Sequence, residues 1–136
     1  MESIFTEHAP PPNGHYSQAM VAGNLVFVSG QLPIRVVAEN RADDSKAVGG
    51  IEQQTRIALE NVQSILESCN SSLAQVIKTT IYISDISQWG LVDKVYAEFF
   101  GSHRPARAVV PTRELHYGYQ IEIEAIASLS AREPDR

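Results

Sequence analysis

Residues 104–127, RPARAVVPTRELHYGYQIEIEAIA, contain two β-strand patterns joined by a polar segment. Residues 106–112 are mostly apolar and β-branched, whereas residues 119–129 alternate between apolar and polar side chains, and both patterns are typical of strands. The connecting segment contains Gly118, a residue suited to a turn. The pattern therefore predicts a single β-hairpin. We interpret the other predicted strands and helices as the structural framework that holds this hairpin in place.

The second predicted strand places two carboxylates on one face. Its apolar positions are Ile121, Ile123, Ala125, Ala127 and Leu129. Because strand side chains alternate with a period of two, these residues share one face, and Glu122 and Glu124 share the other. Arg107, near the start of the first strand, is expected to face these carboxylates or the carboxylate of a ligand. Taken alone, this pattern is typical of a solvated surface whose ion pairs contribute little to stability.

The composition indicates one acidic globular domain. The chain has 136 residues, of which 43% are hydrophobic, a size that can bury an ordinary core. Its formal net charge of -5 opposes binding to nucleic acid, which requires clustered Lys and Arg. We therefore predict a single domain over residues 1–136, with its core at about 8–129 and a disordered tail at 130–136.

The same reading predicts a cytoplasmic protein. Cys69 is the single cysteine, so no internal disulfide can form. The first residues, MESIFTEHAPPP, lack the basic start and apolar run of a signal peptide. No apolar segment reaches the length needed to span a membrane. We expect contact with neither a membrane nor nucleic acid.

The N-terminal half of the chain predicts a hairpin followed by a helix. Residues 16–20 and 24–29 have strand patterns joined by a glycine turn and lead into SGQLPI. Residues 40–47 are polar and acidic, and we predict a loop there. Residues 51–69 carry apolar side chains three and four positions apart, which predicts an amphipathic helix.

The following segment predicts a strand and a second helix. Residues 76–84 are rich in β-branched residues and are predicted to form a strand. The pattern places Ile77, Ile81 and Ile83 on one face of this strand. A helix capped by Asp85 or Ser87 is expected to follow and to end at Gly101. The order of elements indicates an α+β fold with the helices on one face of a sheet.

Four segments together resemble the reactive intermediate deaminase family (RidA, also called YjgF). They are RPAR followed by IEIEAIA in the stretch quoted above, HAPPPNGHYSQAM at residues 8–20, LVFVSGQLPI at residues 25–34, and VIKTTIYISDISQWGLVDKVYAEFF at residues 76–100. They occur in the order found in the family and cover nearly the whole chain. The resemblance implies a chorismate mutase-like fold, with a mixed β-sheet and two helices packed on one face, that assembles as a homotrimer.

The resemblance also implies an activity and a set of residues. The activity is hydrolysis of reactive 2-imino acids, such as 2-aminoacrylate and its tautomer 2-iminopropanoate, to 2-oxo acids and ammonium, in clefts between subunits. Arg107 and Glu122 would be catalytic residues from one chain, with Arg107 binding the substrate carboxylate and Glu122 activating water. The pocket would be lined by Tyr16, which the next chain contributes, together with Ser29, Gly30 and Val109. No metal and no organic cofactor is implied.

Three departures from the family pattern leave the substrate open. Val109 replaces a common cysteine, His15 replaces a proline, and His116 stands in a loop that usually has Leu-Pro. An exposed loop position is the expectation for both histidines. One alternative is a deaminase of a specific catabolic enamine such as 2-aminomuconate. The other is a ligand-sensing trimer without catalysis or an RNA-acting, endoribonuclease-like member of the family.

Overall fold

The structure is a computed structural model, and it describes residues 1–37, 41–42 and 49–130. Within these ranges the chain forms eight strands and two α-helices, with single short 3₁₀ turns at Leu73–Gln75, Ile86–Gln88 and His116–Gly118. The elements are β1 (Glu2–Ile4), β2 (Ala19–Ala22), β3 (Leu25–Gln31), β4 (Val36–Val37), β5 (Arg41–Ala42), α1 (Ile51–Ser68), β6 (Val76–Ile83), α2 (Trp89–Phe100), β7 (Ala106–Pro111) and β8 (Ile121–Ser128).

Six of the strands form one mixed sheet in the order β1-β2-β3-β8-β6-β7. The pair β6 and β7 is parallel, and every other neighbouring pair in this sheet is antiparallel. The parallel pair follows from its connection, because a strand, a crossover helix and a second strand place the two strands side by side in the same direction. Strands β4 and β5 pair separately as a short antiparallel ribbon.

Both helices cover one face of the sheet and enclose the core. Helix α1 contacts β3, β8 and α2, and its buried stripe packs on the alternate apolar positions of β8. The largest fully buried apolar side chains are Leu59, Ile65, Leu66, Ile81, Ile83, Ile121 and Ile123. Burying each of them contributes roughly 1.5–3 kcal/mol relative to exposure. The predicted α+β fold, a mixed sheet with two helices on one face, is confirmed.

Most predicted elements lie where the sequence indicates. The helix predicted at 51–69 ends one residue earlier, with Cys69 as its C-cap. Asp85 accepts a hydrogen bond from the backbone N–H of Ser87 at 3.0 Å, so it caps the 3₁₀ turn that leads into α2. Gly101 ends α2 with a positive φ of +60°, a backbone angle that favours glycine. The strand predicted within 106–112 is β7.

The predicted hairpin at residues 104–127 is wrong. Strands β7 and β8 both form, but β6 lies between them and pairs with each. Periodicity identifies a strand and its buried face, and it does not identify the partner strand. The helix between β6 and β7 decides the pairing here, because it returns the chain beside β6 and leaves β8 to pair along the opposite edge of β6.

Two smaller predictions also need correction. Ile77 does not share a face with the buried Ile81 and Ile83, although the pattern predicts that it does. It is 47% exposed, because the pairing of β6 with β8 shifts register between Val76 and Lys78 and Val76 is buried instead. The loop predicted at 40–47 is wrong at Arg41–Ala42, which pairs with β4 as β5, and its other residues lie outside the described ranges. Of the tail predicted at 130–136, residues 131–136 lie outside the described ranges as well.

Candidate functional site

Glu122 is held against a bulge in the neighbouring strand. Between Val28, which pairs with Ala125, and Gln31, which pairs with Ile123, strand β3 carries two residues, Ser29 and Gly30, opposite the single Glu124 of β8, so β3 has one extra residue here. A Cβ atom added at Gly30 would collide with Oε1 of Glu122. Bulges of this kind bend a strand and often occur beside functional sites. The bulge thus brings the backbone of Gly30 to the carboxylate of Glu122.

A Gly30→Ala variant should lower the activity that depends on Glu122 by more than tenfold. Its methyl group occupies the position of Oε1 and forces the carboxylate to move. A Gly90→Ala variant is the matched control, because a Cβ at Gly90 meets no atom within 4 Å. The measurement is kcat/KM together with Tm for both variants. Equal activity of Gly30→Ala and Gly90→Ala would show that the close contact has no role.

The carboxyl of Glu122 lies in a half-buried, electrostatically mixed environment. Burial raises the pKa of Glu122 above its usual range, the nearby charge of His116 opposes this rise, and the charge of Glu124 adds to it. The adjacent Glu124 accepts a hydrogen bond from the hydroxyl of Tyr82 at 3.0 Å, which raises the pKa of Tyr82. The carboxylate of Glu124 is therefore hydrogen-bonded to a side chain of the neighbouring strand β6. Glu122 is the carboxyl with properties suited to proton transfer.

The guanidinium of Arg107 is fixed on the helix side of the sheet. Its Nη1 donates a hydrogen bond to Oδ1 of Asp93 at 2.9 Å. Its Cζ lies 4.5 Å from the ring centroid of Trp89 and 4.8 Å from that of Tyr96. The hydroxyl of Tyr96 is in turn 2.8 Å from that of Thr79 on β6. These contacts hold the arginine head group in place, and its side chain remains 28% exposed.

Arg107 and Glu122 lie on opposite faces of the sheet within one chain. Arg107 pairs with Thr79 and contacts α2, whereas Glu122 pairs with Tyr82 and alternates with the buried isoleucines of β8. Strand β6 also separates their backbones by about 10 Å, two strand spacings. Within one chain, the side chains of Arg107 and Glu122 therefore do not face the same side of the sheet. Val109 lies on the face of Arg107 and packs against the core.

The other predicted pocket residues lie near the N-terminal loop. Tyr16 is 53% exposed, and its hydroxyl accepts a hydrogen bond from the backbone N–H of Asn13 at 3.2 Å. The side-chain amide of Asn13 donates to the hydroxyl of Tyr117 at 2.8 Å, which ties this loop to the connection between β7 and β8. Ser29 donates its hydroxyl to the carbonyl of Ser17 at 2.6 Å. That hydroxyl therefore stabilises the loop.

Sequence reasoning missed the residues around Arg107. Trp89, Asp93 and Tyr96 recur at i, i+4 and i+7, the spacing of one helix face, but this spacing is usually that of an ordinary core stripe. Their role depends on β7 lying next to β6 under α2, which the predicted hairpin did not allow. The tie between Asn13 and Tyr117 joins residues 104 positions apart and has no sequence signal.

An open cleft lies at the end of β6, beyond the residues predicted for the site. Its volume is about 660 Å³, and it is lined by Ser84, Arg113, Glu114, Leu115, Gly118 and Tyr119. Within the described part of the chain, no group of three or more His, Cys, Asp or Glu side chains is placed to hold a metal ion. None of the helices described is both long and apolar enough to cross a membrane.

Comparisons with known proteins agree on one family. A family model described as Endoribonuclease L-PSP matches residues 6–129. A RutC family protein of Pyrococcus horikoshii is 46% identical over 126 residues, which cover 93% of this chain and 96% of that protein. The chloroplastic Reactive Intermediate Deaminase A of Arabidopsis thaliana is 38% identical over 128 residues, which cover 94% of this chain and 66% of that protein.

The solved structures agree with the sequence comparisons. The crystal structure of E. coli TdcF with bound serine has a TM-score of 0.85 and 32% identity, covering 96% of this chain and 100% of that chain. The resemblance noted from the sequence motifs is thereby confirmed. The sheet order, the two helices and the agreement over nearly the full length lead to one assignment: the chain belongs to the YjgF/RutC/RidA family, which includes reactive intermediate deaminases.

Proposed function

We propose that this protein is an enamine/imine deaminase that hydrolyses reactive 2-imino acids, such as 2-iminopropanoate, to 2-oxo acids and ammonium. The observation that carries the proposal is Arg107, whose guanidinium is fixed by two rings and a carboxylate but keeps an accessible edge. A planar guanidinium can bind a carboxylate through two parallel hydrogen bonds. The relative TdcF, crystallised with serine, supports recognition of an amino-acid-like ligand.

Glu122 supplies the chemical step in this proposal. With its carboxylate ionised, it orients a water molecule and accepts a proton as the water oxygen bonds to the imine carbon. The resulting carbinolamine then loses its nitrogen: Glu122 returns the proton to the amine, and the C–N bond breaks as ammonia leaves. The C=O bond forms as the carbinolamine hydroxyl gives up its proton to Glu122, which passes it to ammonia to make ammonium. The balance is one iminium carboxylate and one water giving one 2-oxo acid and one ammonium ion. Because imines hydrolyse readily, positioning and proton transfer suffice, and no cofactor is invoked.

We further propose that the site forms between chains of a homotrimer. The arginine half-site, Arg107 and Val109, and the glutamate half-site, Ser29, Gly30 and Glu122, are then contributed by different chains. The separation of Arg107 and Glu122 across the sheet supports this arrangement. It differs from the sequence interpretation, which placed Arg107 and Glu122 of the same chain in one site.

The face of the sheet opposite the helices supports assembly as well. Phe27 and Val110 point away from the helices and are 42% and 37% exposed. Neighbouring side chains on this face are also partly apolar, including Met20, Ala108 and Ile126. Exposed apolar side chains clustered on one sheet face are often covered by a partner. Sedimentation analysis measures the number of chains directly.

The proposed compartment is the cytoplasm. The single cysteine, Cys69, is free, which fits a reducing environment. Two relatives are named for other compartments: the Arabidopsis protein is chloroplastic, and a yeast relative is mitochondrial. Cell fractionation tests this assignment.

The test of the activity is a competition assay. An amino-acid oxidase generates a 2-imino acid in the presence of semicarbazide, which traps the imine as a semicarbazone. The wild-type protein should lower the yield of semicarbazone in proportion to its concentration, and ammonium should appear with the 2-oxo acid. Unchanged semicarbazone yields across small and large imino acids would contradict the proposed function.

A further inference from the structure

Three side chains of α2 surround Arg107, and one of them carries a negative charge. Trp89, Asp93 and Tyr96 follow one face of the helix, and all three contact the guanidinium. Both rings lie within the distance at which an aromatic face attracts a cation. Asp93 adds a carboxylate beside the group that is proposed to bind the substrate carboxylate.

The position of Asp93 allows it to act on a bound ligand. Its side chain is 51% exposed, nearly twice the 28% of Arg107. It uses Oδ1 for the arginine, and neither its Oδ2 nor the other N–H groups of Arg107 form a hydrogen bond within residues 1–37, 41–42 and 49–130. A ligand that binds the exposed part of the Arg107 guanidinium therefore lies a few ångströms from the carboxylate of Asp93, whose Oδ2 forms no hydrogen bond within the described residues.

The charge of the substrate determines how strongly Asp93 repels it. Together, Arg107 and Asp93 are formally neutral, so the pair attracts a dicarboxylate less than an isolated arginine would. An iminium monocarboxylate is a zwitterion, and its positive nitrogen offsets the repulsion between its carboxylate and Asp93. A second carboxylate has no such compensation.

We propose that Asp93 is a specificity-determining residue that makes the site select 2-imino acids with one carboxylate over those with two. This inference rests on the proposed function and narrows its substrate class. It also bears on the alternative left open by the sequence, since 2-aminomuconate carries two carboxylates and is disfavoured by the same repulsion. Asp93 thus acts on the charge of the ligand in addition to its hydrogen bond with Nη1 of Arg107.

The test compares substrates in wild type and Asp93→Asn. The asparagine keeps an oxygen for Nη1 of Arg107 and removes the charge, so the geometry of the arginine is retained. Glu98→Gln is a matched control: Glu98 lies on the same helix, pairs with Arg56 at the same 2.9 Å, and is 49% exposed. Asp93→Glu keeps the charge. The substrates are 2-iminopropanoate and 2-iminoglutarate, made by amino-acid oxidases from alanine and glutamate.

The measured quantity is the ratio of kcat/KM for the monocarboxylate to that for the dicarboxylate. Asp93→Asn should lower this ratio about tenfold, chiefly through a smaller KM for the dicarboxylate, whereas Glu98→Gln and Asp93→Glu should retain the wild-type ratio. High salt should reduce the discrimination of the wild type, because the groups are exposed. An unchanged ratio in Asp93→Asn, or an equal loss of activity on both substrates, would overturn the inference.

A binding experiment separates this inference from the proposed function. Calorimetric titration with pyruvate and 2-oxoglutarate needs no turnover. If the wild type hydrolyses neither imine, the proposed function fails, and the titration still decides the inference. Stronger relative binding of 2-oxoglutarate by Asp93→Asn supports the role of Asp93, and unchanged relative binding overturns it.

Discussion

Arg107→Ala should lower kcat/KM for hydrolysis of 2-iminopropanoate about 100-fold. Two charge-assisted hydrogen bonds from the guanidinium to the substrate carboxylate are each worth about 1.5–3 kcal/mol, and the variant loses both. Even the lower total of about 3 kcal/mol corresponds to a factor of roughly 100. Because the carboxylate contact orients the substrate as well, the loss should appear in KM and in kcat. The measurement is steady-state kinetics in the semicarbazide assay.

A second arginine provides the control for stability. Arg56 on α1 also pairs with a carboxylate, Glu98, at 2.9 Å and has an aromatic ring, Phe99, 5.8 Å away. Arg56→Ala thus removes a similar exposed ion pair, and we expect its kcat/KM to remain within twofold of the wild type. Both variants should keep their oligomeric state. If Arg56→Ala and Arg107→Ala lose activity equally, Arg107 has no specific role in substrate binding.

Glu122→Gln should lower kcat by a factor of about 100 to 10,000, the usual contribution of a positioned general base. The amide keeps the size of the side chain next to Gly30 but cannot accept a proton. In the wild type, activity should fall as the pH drops and Glu122 becomes protonated. Since burial raises the pKa of Glu122, this fall should begin at a higher pH than for an ordinary glutamate, whose pKa is about 4.3.

The neighbouring glutamate distinguishes a catalytic role from a general charge effect. Glu124 is on the same strand and the same face as Glu122, and it accepts a hydrogen bond from the hydroxyl of Tyr82. Glu124→Gln should reduce kcat less than tenfold and retain the acid limb of the pH profile. A loss in Glu124→Gln as large as that in Glu122→Gln, or an acid limb that persists in Glu122→Gln, would contradict the assignment of Glu122 as the base.

Local periodicity predicted most of the elements of this fold. The alternation of residues 119–129 identified β8 and its two faces, including the shared face of Glu122 and Glu124. The helical spacing of residues 51–69 identified α1 to within one residue. These signals are local, because burial of one face of an element leaves a period in the sequence. The edge strand β1 has three residues and no such period, and sequence analysis did not identify it.

Pairing and the surroundings of the site depended on distant contacts. The position of β6 between β7 and β8 follows from the path of α2, and it separates Arg107 from Glu122. The register shift that exposes Ile77 has no signature in a β-branched run. Asp93 has the pattern of an ordinary polar helix residue, and only its distance to Arg107 indicates a role in specificity. The sequence motifs therefore identified the candidate residues, but they did not predict which of those residues lie close together.

The most direct test of the account is activity in oligomers that contain two inactive kinds of subunit. Arg107→Ala and Glu122→Gln chains carrying different affinity tags are co-expressed, and mixed and unmixed assemblies are assayed. If each site takes Arg107 from one chain and Glu122 from the next, every mixed trimer has one intact site, and random mixing in equal amounts restores about a quarter of wild-type activity. If both residues act from the same chain, no mixed oligomer has an intact site, and activity at the level of the single variants would contradict the account.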